Sequence, residues 1–204
     1  MRKLLCVLVV LGAIAAPAAD DSLFFREDWT DGPPSLPLTQ RDVANAALEV
    51  SLHGPGKGMI KKSYHNLIPN DPHYIWSGLT PASWAVSLRR KDGAAVDLTQ
   101  GRIRWRARQS GFHELRVIVK TAAGDWFVSD ASDDASDEWR VREVDLEGIA
   151  WRTLNIEKVV EGKWAETPDL SQVVEVGFTD LQGGGGSPAS SRLDWIEVHG
   201  RPIR

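Results

Sequence analysis

The sequence predicts an all-β chain folded as an antiparallel β-sandwich or jelly roll, and three observations lead there. Short apolar–polar alternations recur along the chain, turn-forming residues separate them, and almost no stretch carries helical periodicity. The 204 residues, 42% hydrophobic and 25% charged, suffice for one domain of sandwich size.

The first segment stands apart from the rest. Arg2 and Lys3 precede the apolar run Leu4 to Ala16, and Ala16-Pro17-Ala18-Ala19 supplies a small-residue end. That is the pattern of a secretory signal peptide over residues 1–19, which leaves a single domain over 20–204 in a secreted or periplasmic setting. Cys6, the one cysteine, lies in the signal. The exported chain would have no thiol, and with it no disulfide, no cysteine zinc site and no thiol nucleophile. Removing Arg2 and Lys3 takes the formal charge from −4 to −6, which argues against bulk nucleic-acid binding. After signal removal no second apolar segment suggests a membrane partner.

The strands follow in order. Leu48 to Leu52 and Trp84 to Leu88 alternate with period two. Ile103, Trp105 and Ala107 alternate with Arg102, Arg104, Arg106 and Arg108. Leu115, Val117 and Val119 form another set, and Trp126 to Ser129 follows Ala123-Gly124-Asp125. Trp139 to Leu146, Thr153 to Ile156, Val173 to Thr179 and Leu193 to His199 complete the series. Turns are expected at Lys91-Asp92-Gly93, Ala123-Gly124-Asp125, Glu161-Gly162-Lys163 and Gly183 to Gly186. Single helical turns fit near Gln40 to Ala46 and after Pro168-Asp169.

In Leu193-Asp194-Trp195-Ile196-Glu197-Val198, alternation puts Asp194 on the face of Ile196 and Val198. A carboxylate there needs a cation. Either calcium or an arginine, Arg26 or Arg192, meets that need. This closing strand resembles that of the galactose-binding-like jelly-roll domains of the carbohydrate-binding-module type. The resemblance implies a strand beside the opening segment and a structural Ca2+ held by carboxylates of the first and last strands. Here those positions are Glu27, Asp28 and Asp194. It also implies a polysaccharide or oligosaccharide ligand.

Two constellations could carry that ligand. Lys61 to Gly78 holds both tyrosines, with His65, Asn66, Asp71, His73 and Trp76 among them, and Pro69 and Pro72 make it a shaped loop. Aromatic faces suit the C–H face of a pyranose, and amide and imidazole groups suit its hydroxyls. His65, Asn66, His73, Tyr74 and Trp76 are therefore candidates. The arginine ladder is the second constellation: Arg104 and Arg106 could grip the carboxylates of an acidic polysaccharide, or the ladder could be neutralised by acids of this chain. Of the nine tryptophans, Trp84 and Trp105 fall in core phase. Trp126, Trp139, Trp151 and Trp164 follow turns or charged residues, where binding platforms occur.

The best-supported function is non-catalytic carbohydrate binding. One alternative is a polysaccharide lyase using Tyr64, His65 or Tyr74 with the arginines; another is an exported structural or partner-binding domain. The sequence contains no Gly-x-Ser-x-Gly elbow, no His-Glu-x-x-His and no phosphate-binding glycine loop.

Overall fold

The computed structural model describes residues 22–65, 67, 72–184 and 189–203. The signal expected over 1–19 lies outside them. Among the described residues thirteen strands form the scaffold: β1 (Leu23–Glu27), β2 (Leu48–His53), β3 (Lys61–Ser63), β4 (Tyr74–Trp76), β5 (Ala85–Arg90), β6 (Ala95–Gln109), β7 (Leu115–Thr121), β8 (Trp126–Asp133), β9 (Arg140–Asp145), β10 (Trp151–Asn155), β11 (Val160–Ala165), β12 (Val173–Thr179) and β13 (Ser191–Ile203). Every pairing is antiparallel. A 3-10 turn at Gln40–Asp42 occupies part of the first expected helical position. At the second, Asp169 accepts the Ser171 backbone N–H, and no helix follows.

The first layer runs β3-β4-β13-β6-β9, with β1 beside the far half of β13. The second runs β2-β5-β12-β7-β8-β10-β11. Hydrogen bonding is continuous between them because β6 meets β12 at Val96 and Val173. The inner faces share one core, in which Ile103, Trp105, Ile196 and Val198 of the first layer gather with Val86, Val117, Val119 and Phe178 of the second. Trp29 and Trp84 both set an edge against Phe178, with ring centroids 6.4 and 6.0 Å apart. A smaller cluster of Ala85, Ile118, Val128, Leu154 and Val159 covers part of the outer face of the second layer.

That outer cluster explains one departure from expectation. Glu161-Gly162-Lys163 is not a turn but lies inside β11. The chain reverses between Asn155 and Val160, where Ser83 Oγ donates to the Lys158 carbonyl at 2.7 Å. In the register, Arg152 pairs with Trp164 and Leu154 with Glu161, so Gly162 and Lys163 form a bulge opposite Thr153. A side chain at Gly162 would place its Cβ 2.4 Å from Thr153 Oγ1, which is why glycine stands there.

The long connection between β1 and β2 is held by buried charges of both signs. Glu27 Oε1 accepts the backbone N–H groups of Trp29 (2.8 Å) and Ala44 (2.7 Å), and Oε2 accepts that of Asn45 (3.0 Å). Burial pushes the Glu27 carboxyl above its usual value despite these donors. The same grip holds Trp29 at a left-handed φ of 59°, a conformation that costs a non-glycine residue about 1–2 kcal/mol. Lys62 is the reciprocal case. It is 2% exposed, its Nζ donates to the Thr30 carbonyl (2.8 Å) and to Thr30 Oγ1 (3.2 Å), and Asp42 Oδ1 lies 3.6 Å away. Removing one partner of a buried pair costs about 3–5 kcal/mol. Lys62→Met should therefore lower the unfolding free energy by about 3 kcal/mol in a urea titration. A loss below about 1 kcal/mol would show that the ammonium does not hold the loop.

Candidate functional site

The outer face of the first layer is decided by a bulge. β13 pairs Leu193 with Ala107 but Trp195 with Arg106, so one extra residue sits between them. Leu193 and Ile196 stay inside, while Asp194 and Trp195 both turn outward. Simple alternation had placed Asp194 on the face of Ile196 and Val198, and the bulge overturns that. Asp194 Oδ2 accepts from Arg106 Nη1 at 2.7 Å, a different arginine from the two expected. Burial nevertheless keeps the Asp194 carboxyl above its usual value.

The arginine ladder is on this face, and most of it is closed by acids of the chain. Arg102 and Arg104 lie 3.6 and 3.1 Å from Glu143, and Arg104 also pairs with Glu197 at 3.0 Å. Arg26 pairs with Glu197 at 2.6 Å, and its guanidinium lies 4.4 Å from the centre of the Trp195 ring. Arg104 and Arg106, both candidates for an acidic ligand, are thus committed internally.

Of the loop candidates, the structure joins some and encloses others. Tyr74 is only 3% exposed; its hydroxyl meets His65 Nδ1 at 3.2 Å and its ring lies 5.3 Å from that of Trp139. Trp139 in turn lies under the Arg106 guanidinium at 5.4 Å. His65, Tyr74 and Arg106 therefore belong to one connected group, with Trp139 as the member that links them. His73 is elsewhere, stacked 4.8 Å from Tyr64 and bonded to Asp31 and the Gly32 N–H. Trp76 is half-buried, and its indole N–H donates to Ser190 Oγ at 2.6 Å. Asn66 and Asp71 lie outside the described residues. The segment forms two short strands, β3 and β4, around a shorter loop than expected, because β4 pairs with β13 on one side and β3 on the other.

The outer face of the second layer offers a different surface. Trp164 is 53% exposed, with the Arg152 guanidinium 3.8 Å from its ring centre. Trp126 is half-buried, with Lys120 Nζ 5.6 Å from its ring and His53 edge-on at 5.2 Å. Arg152 faces Trp164 on one side and Val128 on the other, and Trp126 is two residues from Val128. Two strand spacings across and two residues along put the tryptophans about 12 Å apart at Cα. Fixed polar groups lie beside Trp126. Ser87 Oγ donates to Glu175 Oε2 at 2.8 Å and accepts from His53 Nε2 at 2.9 Å, and Lys120 holds Glu175 Oε1 at 3.0 Å. Because the serine has one proton and gives it to Glu175, His53 must carry its proton on Nε2. Burial lowers the His53 pKa and favours that neutral ring. These polar residues were missed in the sequence, where they are isolated members of four alternating strands. Trp126 and Trp164 were visible there as residues following turns or charges, whereas Trp151, a third such residue, is 2% exposed and belongs to the core.

No family model matches this sequence, and no curated protein matches it. Several solved structures are similar in strand arrangement. A family 11 carbohydrate-binding module from Clostridium thermocellum, in complex with a β-1,3-1,4-mixed-linked tetrasaccharide, is 15% identical over 82% of this chain and 96% of its own, with a TM-score of 0.45. A point mutant of a family 29 carbohydrate-binding module is 14% identical over 82% and 91%, with a TM-score of 0.46. An exo-β-agarase is 12% identical over 85% of this chain and 26% of its own, with a TM-score of 0.44. Likenesses of this size transfer no residue role.

The carboxylates expected to hold calcium do not form an ion cage. Glu27 is occupied by three backbone N–H groups, Asp28 by Arg26 and Asp194 by Arg106. Among the described residues, no group of three His, Cys, Asp or Glu side chains is arranged to hold a metal. The donor set does not fit a shared calcium ion.

Glu197 is the carboxylate with the clearest link to pH. Burial alone would raise its pKa, but hydrogen bonds from Arg26 and His199 and the charges of Arg26 and Arg104 outweigh burial and hold it below the usual glutamate range. A lowered folded-state pKa adds stability that is present above the unfolded value and lost as pH falls through the folded one. The wild type should thus lose melting temperature on acidification below about pH 4.5, the ordinary glutamate region. Glu197→Gln should be less stable at pH 7 and should lose less across that acid interval. Parallel calorimetric curves for the two proteins would remove Glu197 from the network.

Proposed function

We propose that this is an exported protein that binds saccharide chains without catalysis, through the outer face of its second layer. The observation that carries the reading is the pair Trp126 and Trp164, two partly exposed indole rings on one sheet face, each with a cation at its ring. Sugar rings offer apolar C–H faces and a rim of hydroxyls, and binding sites for them combine flat aromatic surface with a few fixed polar groups. Glu175, Ser87, His53 and Lys120 are such groups, already oriented by their mutual hydrogen bonds. The spacing of the tryptophans suits successive units of an extended chain. Export is supported by the charged start and apolar run of residues 1–19.

Of the three bases a lyase could use here, the Tyr74 hydroxyl is enclosed and bonded to His65. His65 is exposed and Tyr64 half-buried, so the preference for a non-catalytic reading rests on the tryptophan pair.

A panel of neutral oligosaccharides (β-glucans, xylans, mannans and galactans) provides the test, with calorimetry on those retained. Trp164→Ala and Trp126→Ala should each weaken binding at least tenfold, about 1.4 kcal/mol or more. The thermal midpoint of Trp164→Ala should stay near that of the wild type, because the ring lies at the surface. Retention of no glycan, or unchanged affinity in both variants, would overturn the assignment.

A further inference from the structure

Beside Trp126 the polar groups divide unevenly into donors and acceptors. Lys120 brings an ammonium to the ring, and both oxygens of Glu175 already accept, Oε1 from Lys120 and Oε2 from Ser87. A sugar hydroxyl carries one proton, and a hydroxyl pressed against an aromatic floor needs an acceptor for it. His53 supplies one. Its Nε2–H is engaged by Ser87 Oγ at 2.9 Å, which leaves the lone pair of Nδ1. Among the described residues no donor meets Nδ1, and that nitrogen is not one of the polar atoms sealed from solvent.

The ring is also held in place and in its charge state. It stands edge-on to Trp126 with centroids 5.2 Å apart, on a strand paired with the one that carries Ser87. The charged groups that face it come from three other elements: Glu175 on β12, Lys120 on β7 and Lys57 in the 3-10 turn Lys57–Met59. Glu175 favours a proton on the ring, while burial and the two lysines oppose it. Burial is the largest of these effects, and the ring stays neutral further into acid than a free histidine.

We infer that His53 Nδ1 is a hydroxyl acceptor of this face, and that a proton on the ring switches saccharide binding off. The inference rests on the saccharide reading of the face for its ligand, whereas the tautomer it needs is a property of the free protein. The hydrogen bond from Ser87 to Glu175 fixes that tautomer, and a ligand hydroxyl donates to the nitrogen left bare. Protonation puts a hydrogen on Nδ1, turns the acceptor into a donor and places a second cation beside Lys120. Nε2–H stays on Ser87, so the polar group keeps its geometry while its reading of the hydroxyl is lost. Only the neutral ring binds, so the apparent dissociation constant is the intrinsic one divided by the neutral fraction. One pH unit below the His53 midpoint that fraction is about one-eleventh, and binding is about tenfold weaker. By reciprocity, a bound saccharide lowers the midpoint further.

The experiment has one arm without ligand and one with it. Imidazole spectra of the nitrogen-15-labelled protein at about pH 7.5, with His53 assigned through its backbone, should show Nε2 protonated and Nδ1 bare. The same spectra followed into acid give the midpoint of the ring. A neutral ring with its proton on Nδ1 overturns the inference with no ligand present. In the second arm, the neutral oligosaccharide that the wild type binds best among β-glucan, xylan, mannan and galactan fragments is titrated calorimetrically. The titrations run from about pH 7.5 to one unit below the measured midpoint, with folding checked at each pH by near-UV circular dichroism. Wild-type affinity should fall about tenfold over the last unit, and the midpoint should drop when the protein is saturated. His53→Gln can still donate to Ser87 but does not titrate, and its affinity should stay level over the same interval. Three results overturn the inference and leave the saccharide reading standing: wild-type affinity level through the midpoint, a midpoint unmoved by saccharide, or the wild-type pH profile retained in His53→Gln. Binding of no oligosaccharide at any pH overturns both.

Discussion

The pairing of β6 with β13 is the constraint on which the rest of this protein depends. β6 is hydrogen-bonded to β13 along most of its length, to β9 on its other side and to β12 near its start, so both layers are hung from it. Its inward residues Ile103, Trp105 and Ala107 form the centre of the core, and Trp105 also binds Asp133 through its indole N–H at 3.0 Å. Every outward property of the first layer then follows from register. The bulge at Asp194 sends two consecutive side chains outward, which gives Arg106 its acid and sets Trp195 among Arg26 and Arg104. A strictly alternating β13 would put that carboxylate into the core, at a cost of several kcal/mol, and would leave Arg106 unpaired.

A second problem comes with the long crossing from β1 to β2. A connection of this length packed against a sheet carries backbone N–H and C=O groups that secondary structure does not satisfy. The chain answers with buried charges of both signs. The Glu27 carboxylate collects three N–H groups, and the Lys62 ammonium takes the Thr30 carbonyl and hydroxyl and faces Asp42. A metal ion can serve only the oxygen half of such a demand. An ammonium on a strand serves that half while remaining covalently tied to β3, so the loop is fixed to the sheet by the side chain itself. This is also why a cleft of about 910 Å3 under Thr30 to Asp42, with Lys62 in its wall, offers little to a ligand: its central cation is already shared among internal oxygens.

How legible this was in the sequence depends on what each residue needed. Period-two alternation identified the central strands where their inner faces are wholly apolar, as in Ile103 to Ala107 and Leu115 to Val119. It failed at Asp194 and at Gly162, since a bulge adds one residue without marking itself in composition. Gly162 reads as a turn because turns and bulges both favour glycine. Lys61 to Gly78 reads as a loop because strands of three residues are too short for a period to show. Tyr74 and Trp76 were rightly marked as unusual, but only the pairing of β4 with two neighbours shows that one ring is enclosed and the other stands opposite Lys61 and Arg192. The group of His53, Ser87, Lys120 and Glu175 could not be read at all. It comes from four strands whose spatial order, β2-β5-β12-β7, is not their order in the chain.

The two outer faces differ in what their cations do, and that difference sorts the tryptophans. A cation over an indole ring contributes about 0.5–1 kcal/mol at an exposed site and fixes the ring before any ligand arrives, which reduces the ordering cost of binding. On Trp164 that cation is Arg152 alone, and more than half of the residue remains open to solvent. On Trp195 two guanidinium groups approach the ring, each also tied to Glu197, and the residue is half-buried. The same interaction thus prepares one tryptophan and closes the other. For an arginine the logic runs in reverse. Arg104 and Arg106 are well oriented because acids hold them, and the N–H groups turned to Glu143, Glu197 and Asp194 are engaged for the same reason. Arg108, opposite Arg192, is the member of the ladder that meets no acid of β9 or β13 among the described residues.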